Sequence, residues 1–204
     1  MRLGIFGGSF DPVHYGHLLL AENCREQVHL DEVWFMPAAA PPHKRTEVLS
    51  SAAQRIEMLE LATGGHPAFR VSHMEVERGG VSYTVDTLAT IAEADPNREI
   101  FLLLGADSLA DLPNWREPAR ICELATPIVV EREREPPVDF NVLAGIVSAS
   151  RLAEIPRCSV VMPPIGLSST EIRCRVAQGM SIRYRTPRAV ETYIESHGLY
   201  RNPV

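Results

Sequence analysis

The chain has 204 residues, 45% of them hydrophobic and 23% charged, with a formal net charge of −6. That length and apolar fraction fit one compact domain over 1–204 with a substantial core, and the acidic balance argues against a nonspecific nucleic-acid binder, which needs a basic face. No stretch approaches the ~20 apolar residues of a membrane span, and Met1-Arg2-Leu3 runs into an apolar strand rather than a signal-peptide core. The expectation is a cytoplasmic protein with neither membrane nor nucleic acid as partner, its oligomeric state open to a homo-oligomer. Cys24, Cys122, Cys158 and Cys174 are scattered without metal or redox spacing and read as reduced structural thiols.

Arg2 to Phe6 reads as a first buried strand, followed by Gly7-Gly8-Ser9-Phe10-Asp11-Pro12 and a helical pattern from Tyr15 to about Val28, with Leu18, Leu19, Ala21 and Cys24 as its apolar stripe. A strand, a tight turn and a helix N-terminus make an anion site, because the first amides of a helix lack partners and carry the positive end of its dipole. Gly7 and Gly8 remove Cβ atoms that would hold a ligand off the backbone, and they tolerate positive φ if the turn needs it. His14 and His17, three apart, share one face if the helix begins near Pro12 or Val13. The glycines at 4, 7, 8 and 16 match neither G-x-x-x-x-G-K-[ST] nor G-x-G-x-x-G. A His-x-x-His metal pair would need a third ligand, for which only Asp11 is near; packing or capping is the plain alternative for the two rings.

Glu32 to Pro37 is expected to be a second strand, completing a βαβ unit whose ligands lie beyond the carboxyl ends of the strands. The proline-stiffened loop that follows carries His43, Lys44 and Arg45 at that end. Ser51-Ala52-Ala53-Gln54 is a capping box opening a helix to Thr63 that Gly64-Gly65 stops, and Phe69 to Val76 alternates as a strand. Ser82-Tyr83-Thr84-Val85-Asp86-Thr87 opens another helix, as a hydroxyl cap or as a second anion site. Glu99 to Leu104 reads as a central strand buried on both faces, emptying into Gly105-Ala106-Asp107-Ser108 and then Asp111-Leu112-Pro113-Asn114-Trp115. Asp107 suits ribose hydroxyls or magnesium, and Trp115 offers a flat face to a heteroaromatic ring or else packs structurally.

Pro127 to Val130 is a further strand, residues 131 to 137 a charged surface loop, Val142 to Ala153 a helix and Ser159 to Met162 a short strand. In Gly166-Leu167-Ser168-Ser169-Thr170-Glu171-Ile172-Arg173, Ser168 and Glu171 have capping-box spacing, which leaves Ser169, Thr170 and Arg173 at the helix mouth to pair with phosphate oxygens. Thr186-Pro187 caps a last helix with proline at its first position, ended by His197-Gly198.

Gly-Gly-Ser-Phe-Asp-Pro-Val-His-Tyr-Gly-His, from Gly7 to His17, resembles the signature of the nucleotidyltransferases with a His-x-Gly-His motif. That superfamily includes nicotinate mononucleotide, phosphopantetheine and cytidylyl transferring enzymes. Pro41-Pro42-His43-Lys44, Ser82 to Thr87, Leu112 to Trp115 and the terminal Gly198-Leu199-Tyr200 are similar to its nicotinate mononucleotide branch. Leu167 to Arg173 resembles its Ile-Ser-Ser-Thr-x-Ile-Arg motif, with leucine for the usual isoleucine.

The resemblance implies an α/β fold, a Rossmann-like doubly wound parallel sheet with flanking helices. A C-terminal helical part, about 166–204, would carry the second ATP motif. It implies adenylyl transfer from ATP to nicotinate mononucleotide, with His14, His17, Lys44 and Arg173 as catalytic residues. Gly7, Gly8, Ser9, Phe10, Gly105, Asp107, Ser168, Ser169 and Thr170 would bind ATP, and His43, Tyr83, Thr84, Trp115 and Arg132 the acceptor. Mg²⁺ would be the cofactor, held by phosphates and water without a protein ligand. Nicotinamide mononucleotide or phosphopantetheine as acceptor, and a catalytically silent nucleotide-binding scaffold, are the rivals.

Overall fold

The computed structural model describes residues 1–40, 49–132 and 136–201, the side chain of Arg132 excepted. Among the described residues the strands are β1 (Arg2–Gly8), β2 (Glu32–Pro37), β3 (Phe69–Val71), β4 (Glu99–Gly105), β5 (Thr126–Arg132) and β6 (Val160–Met162). They form one sheet in the order β3-β2-β1-β4-β5-β6, every neighbouring pair parallel. The chain winds outward from β1 to β3, returns to β4 and winds outward the other way. The reversal lies between β1 and β4, where an open α/β sheet leaves a crevice beyond its carboxyl ends.

Alternation along each strand builds two cores. Phe6, Val33, Phe35, Phe101, Leu103, Ile128 and Val130 face one side, and α1 (Tyr15–Val28), α2 (Ala52–Thr63), α8 (Ser169–Ala177) and α9 (Arg188–Ser196) bring Cys24, Leu59, Ile172 and Val190 onto them. Leu3, Ile5, Ile100, Leu102, Leu104 and Val129 face the other side, covered by α4 (Thr84–Ala94), α5 (Ala106–Asp111) and α6 (Pro118–Leu124) through Leu88, Leu109 and Ile121. Each such leucine, isoleucine or phenylalanine contributes about 1.5–3 kcal/mol when fully buried. The uninterrupted apolar run of β4 is therefore the consequence of helices on both faces. This is the doubly wound, Rossmann-like sheet that the motifs imply.

Several local expectations need correction. The strand read over Phe69 to Val76 stops at Val71, and Met74–Arg78 forms a short helix, α3. Glu75 is drawn inward to accept from Thr87 Oγ1 of α4 at 2.7 Å, a long-range contact that no local alternation carries. The helix expected over Val142 to Ala153 is a 3₁₀ turn at Phe140–Leu143 followed by α7 (Ala149–Glu154), with Ser148 Oγ accepting from the Arg151 amide at the N-cap. Helix α6 was not foreseen. The final helix starts at Arg188 with Pro187 at the N-cap rather than inside it, and the Thr186 hydroxyl is used elsewhere. The capping box at Ser51 and Gln54 is present in both directions.

Candidate active site

The turn after β1 does not use its glycines for backbone strain. Neither Gly7 nor Gly8 has positive φ; Phe10 does, at 50°. Its ring is buried (1% exposed), packed edge-on against Phe6 at 5.3 Å and against the His17 ring at 5.1 Å. A Cβ on Gly8 would lie 3.0 Å from that ring, so Gly8 makes room for Phe10. Phe10, expected to bind ATP, thus belongs to the core by its side chain and lines neither cavity described below.

Distant side chains grip the turn by its carbonyl oxygens. Arg55 Nη1 donates to Ser9 O at 2.9 Å, Arg173 Nη1 to Asp11 O at 2.8 Å, Ser169 Oγ to Pro12 O at 2.9 Å and Thr186 Oγ1 to Val13 O at 2.7 Å. Because the peptide unit is planar, holding the oxygen also fixes the amide N–H across the bond. The Asp11 carboxylate is buried and accepts from the Tyr200 hydroxyl at 2.5 Å and the Ser50 amide at 3.2 Å. Burial, and then the Asp11 charge, push the Tyr200 pKa up, which keeps that hydroxyl a donor. Arg55, 1% exposed, is the hub: Nε donates to Ser50 O at 3.1 Å and Nη2 to Ala38 O at 2.8 Å, so one guanidinium ties the turn to the ends of the loop after β2.

Helix α1 runs over Tyr15–Val28, the span its apolar pattern predicts, rather than beginning near Pro12 or Val13, so His14 is its N-cap and His17 its third residue. The His14 amide donates to His17 Nδ1 at 3.2 Å, and the imidazoles stack with centroids 3.7 Å apart and planes at 24°. With Nδ1 accepting, a neutral His17 carries its proton on Nε2. Burial lowers the His14 pKa to about 4. Burial, and then the neighbouring His14 charge, take His17 well below its ordinary value. Near neutrality both rings are uncharged donors and acceptors. His14 Nδ1 is buried without a hydrogen-bond partner among the described residues. A Cβ on Gly16 would sit 2.9 Å from that atom, so any side chain there would displace the His14 ring.

Two cavities open at the carboxyl edge. One, of about 560 Å³, is lined by Ser9, His14, His17, Gly105, Asp107 and the mouth of α8, Ser168, Ser169 and Thr170. The other, of about 400 Å³, is lined by Gly7, Gly8, Ser9, Tyr83, Thr84, Gly105 and Trp115. They share Ser9 and Gly105, the residues that follow β1 and close β4 on either side of the reversal.

Around the smaller cavity, Trp115 is oriented by its indole N–H donating to Asp111 Oδ2 at 3.1 Å. Ser82 does not cap α4; its hydroxyl accepts from the Ala39 amide at 2.9 Å, and Tyr83 stands at the N-cap without a side-chain bond. At α8 only half of the expected box forms: Ser168 Oγ accepts from the Glu171 amide at 3.1 Å, while Glu171 pairs with Arg185 at 2.9 Å. Arg173 supports the turn and lies 3.4 Å from Thr170 Oγ1 rather than lining the larger cavity. His43 and Lys44 lie outside the described residues, and Arg132 is described as the backbone end of β5 alone.

Sequence reasoning missed Arg55 and Arg116. Arg55 gives no local signal, since an arginine in an amphipathic helix reads as solvated. Arg116 could have been found from its place beside Trp115. No group of three or more His, Cys, Asp or Glu among the described residues could hold a metal. Asp107 is the one carboxylate among the described lining residues of the larger cavity, which also include Ser9, Ser168, Ser169 and Thr170.

The chain matches the family model described as Cytidylyltransferase-like over residues 5–175. It is 46% identical over 200 residues to the "Probable nicotinate-nucleotide adenylyltransferase" of Thermomicrobium roseum, covering 98% of this chain and 92% of that one. It is 45% identical over 201 residues to the protein of the same name from Thermus thermophilus, covering 98% of this chain and all of the relative. In fold it is similar to the Plasmodium falciparum nicotinic acid mononucleotide adenylyltransferase complexed with NaAD, with a TM-score of 0.76 at 20% identity over 99% and 98% of the two chains.

Proposed function

The chain belongs to the cytidylyltransferase-like family, alongside its nicotinate-nucleotide adenylyltransferases, and from this membership we infer that it transfers the adenylyl group of ATP to nicotinate mononucleotide, releasing pyrophosphate. The product is nicotinic acid adenine dinucleotide, and the reaction is a step of NAD biosynthesis. The observation that carries the reading beyond membership is the pair of cavities meeting at Ser9 and Gly105, which lets two nucleotides approach end to end.

In the proposed arrangement ATP lies in the larger cavity and the acceptor in the smaller one, its pyridine ring against Trp115 and its carboxylate near Thr84. The acceptor's phosphate oxygen attacks the α-phosphorus in line, the α–β bridging bond breaks, and its electron pair leaves with pyrophosphate. No covalent nucleophile is needed. Rate comes from positioning and from donors aimed at the charge that develops. His17 Nε2–H and His14 donate to the α- and β-phosphate oxygens, helped by the turn amides. Asp107 meets the adenosine ribose, and Ser168, Ser169 and Thr170 meet the triphosphate tail. Arg173 holds the turn in register and adds charge behind it, while Lys44, His43, Tyr83 and Arg132 complete the phosphate and acceptor contacts. Asp107, the carboxylate among the described lining residues of the larger cavity, is the side chain that would face a Mg²⁺ ion carried mainly by phosphate oxygens and water, and such an ion would supply charge neutralisation.

The partners are then small molecules rather than nucleic acid. No helix among the described residues is long and apolar enough to cross a membrane, and the proposed location is the cytoplasm. Pyrophosphate release with Mg²⁺ and ATP, compared for nicotinate mononucleotide, nicotinamide mononucleotide and phosphopantetheine, tests the reading. Strong preference for the acid is expected. Release with none of the three would leave a nucleotide-binding scaffold.

A further inference from the structure

The acceptor cavity has one cation among its described lining residues, Arg116; its one acid, Glu75, is buried and occupied by the Thr87 hydroxyl at 2.7 Å. Arg116 follows Trp115 directly, and its Cζ stands over the Tyr83 ring, 4.8 Å from the centroid, both residues lining the cavity. Its partners are loose: Nη1 is 3.5 Å from Asp86 Oδ2 and Nε is 3.6 Å from Glu117 Oε1, with the arginine side chain 50% exposed. Neither distance is that of a tight charge-assisted hydrogen bond, and exposed pairs of this kind hold an arginine weakly. The Tyr83 face holds the guanidinium beside the cavity, while the two ion pairs that take up its N–H groups cost little to exchange.

A pyridine ring stacked on Trp115 would share the cavity with this charge, since both residues line it. A carboxylate and a carboxamide have nearly the same size and differ by one negative charge. Shape alone cannot separate them, and a hydrogen-bond donor serves both. A cation serves the acid far better, because a planar guanidinium matches a carboxylate through two parallel N–H···O bonds, whereas a carboxamide offers one neutral acceptor. We propose that the Arg116 side chain is a specificity-determining residue for acceptor charge, leaving Asp86 and Glu117 to pair with a ring carboxylate and so favouring the acid over the amide. This rests on the reading of the smaller cavity as the acceptor site.

The test compares wild type with Arg116→Gln and Arg116→Lys. Each is measured for kcat/KM with nicotinate and nicotinamide mononucleotides, for calorimetric binding of each mononucleotide without ATP, and for Tm. The Gln variant is expected to keep its Tm within a few degrees and to lower the acid-to-amide ratio of kcat/KM and of affinity at least tenfold. The Lys variant, retaining charge without the fork, falls between. The wild-type ratio also shrinks as ionic strength rises, and the ratio in the Gln variant does not. Equal losses on both acceptors, or an unchanged ratio in the Gln variant of an active enzyme, would overturn the proposal and leave selection to main-chain donors. A wild type that binds and turns over neither mononucleotide would instead overturn the acceptor reading, and this inference with it.

Discussion

Replacing Arg55 with methionine keeps the length and apolar stem of the side chain and deletes the guanidinium. Three nitrogens then vanish from three carbonyls: Nε from Ser50 O, Nη1 from Ser9 O and Nη2 from Ala38 O. A buried acceptor left without a donor costs about 1–3 kcal/mol, and Asp11 also loses a nearby positive charge. Desolvation opposes the native arrangement, since burial lowers the Arg55 pKa, so the contributions do not simply add. Breaking a buried charged cluster by removing one member costs about 3–5 kcal/mol, which for a chain of this size lowers Tm by roughly 6–20 °C. Activity should fall further than stability. The turn carrying Ser9 loses its tie to the loop after β2, and a displacement of about 1 Å in reacting groups costs about 100-fold. Calorimetry together with kcat and KM for both substrates measures the two effects. Arg55→Lys, a point charge without the fork, should lie between. A methionine variant with wild-type Tm and normal kcat would refute Arg55 as the hub.

Substituting His17 by alanine should lower kcat by about 10²–10³-fold with the fold intact, the loss expected for one donor aimed at developing charge; normal turnover would remove it from the chemistry. Gly16→Ala should displace the His14 ring, whose Nδ1 would lie 2.9 Å from the new Cβ, and lower kcat more than it raises either KM. Stability should also report on the histidines. His14 in the folded chain titrates at about 4, against 6.5 when unfolded, so between those values the unfolded chain binds the proton and the folded chain does not. Stability is then flat above about 7 and falls as pH drops toward 4; at about 1.4 kcal/mol per pH unit, His14 accounts for about 3 kcal/mol. Denaturant titrations from pH 7 to 4 should show that slope reduced in His14→Gln; an equal slope in both proteins would contradict neutral burial of the ring.

Local chemistry in the sequence was enough to bring out residues that the fold gathers at one edge of the sheet. The glycine pair, the His14–His17 spacing, the apolar run of β4 and the hydroxyls before α8 all lie at the same carboxyl edge. What escaped reading depends on contacts across the fold. Arg55 is 46 residues from Ser9, Thr186 is 173 from Val13 and Tyr200 is 189 from Asp11. Hydroxyls expected to cap their own helices were likewise taken by distant backbone, Ser82 by Ala39 and Thr186 by Val13. The positive φ fell on Phe10 because burying its ring against Phe6 and Phe35 outweighs the local preference for glycine there.

The adenylyl transfer proposed for the junction of the two cavities makes one demand on the fate of each phosphorus. ATP labelled at the α-phosphate and, separately, at the γ-phosphate is incubated with nicotinate mononucleotide, Mg²⁺ and enzyme, and the products are separated. The α label should appear wholly in the dinucleotide and the γ label wholly in pyrophosphate. Transfer of the γ label to the mononucleotide, with ADP as the other product, would place the attack at the wrong phosphorus and contradict the assignment of His14 and His17 to the α- and β-phosphates.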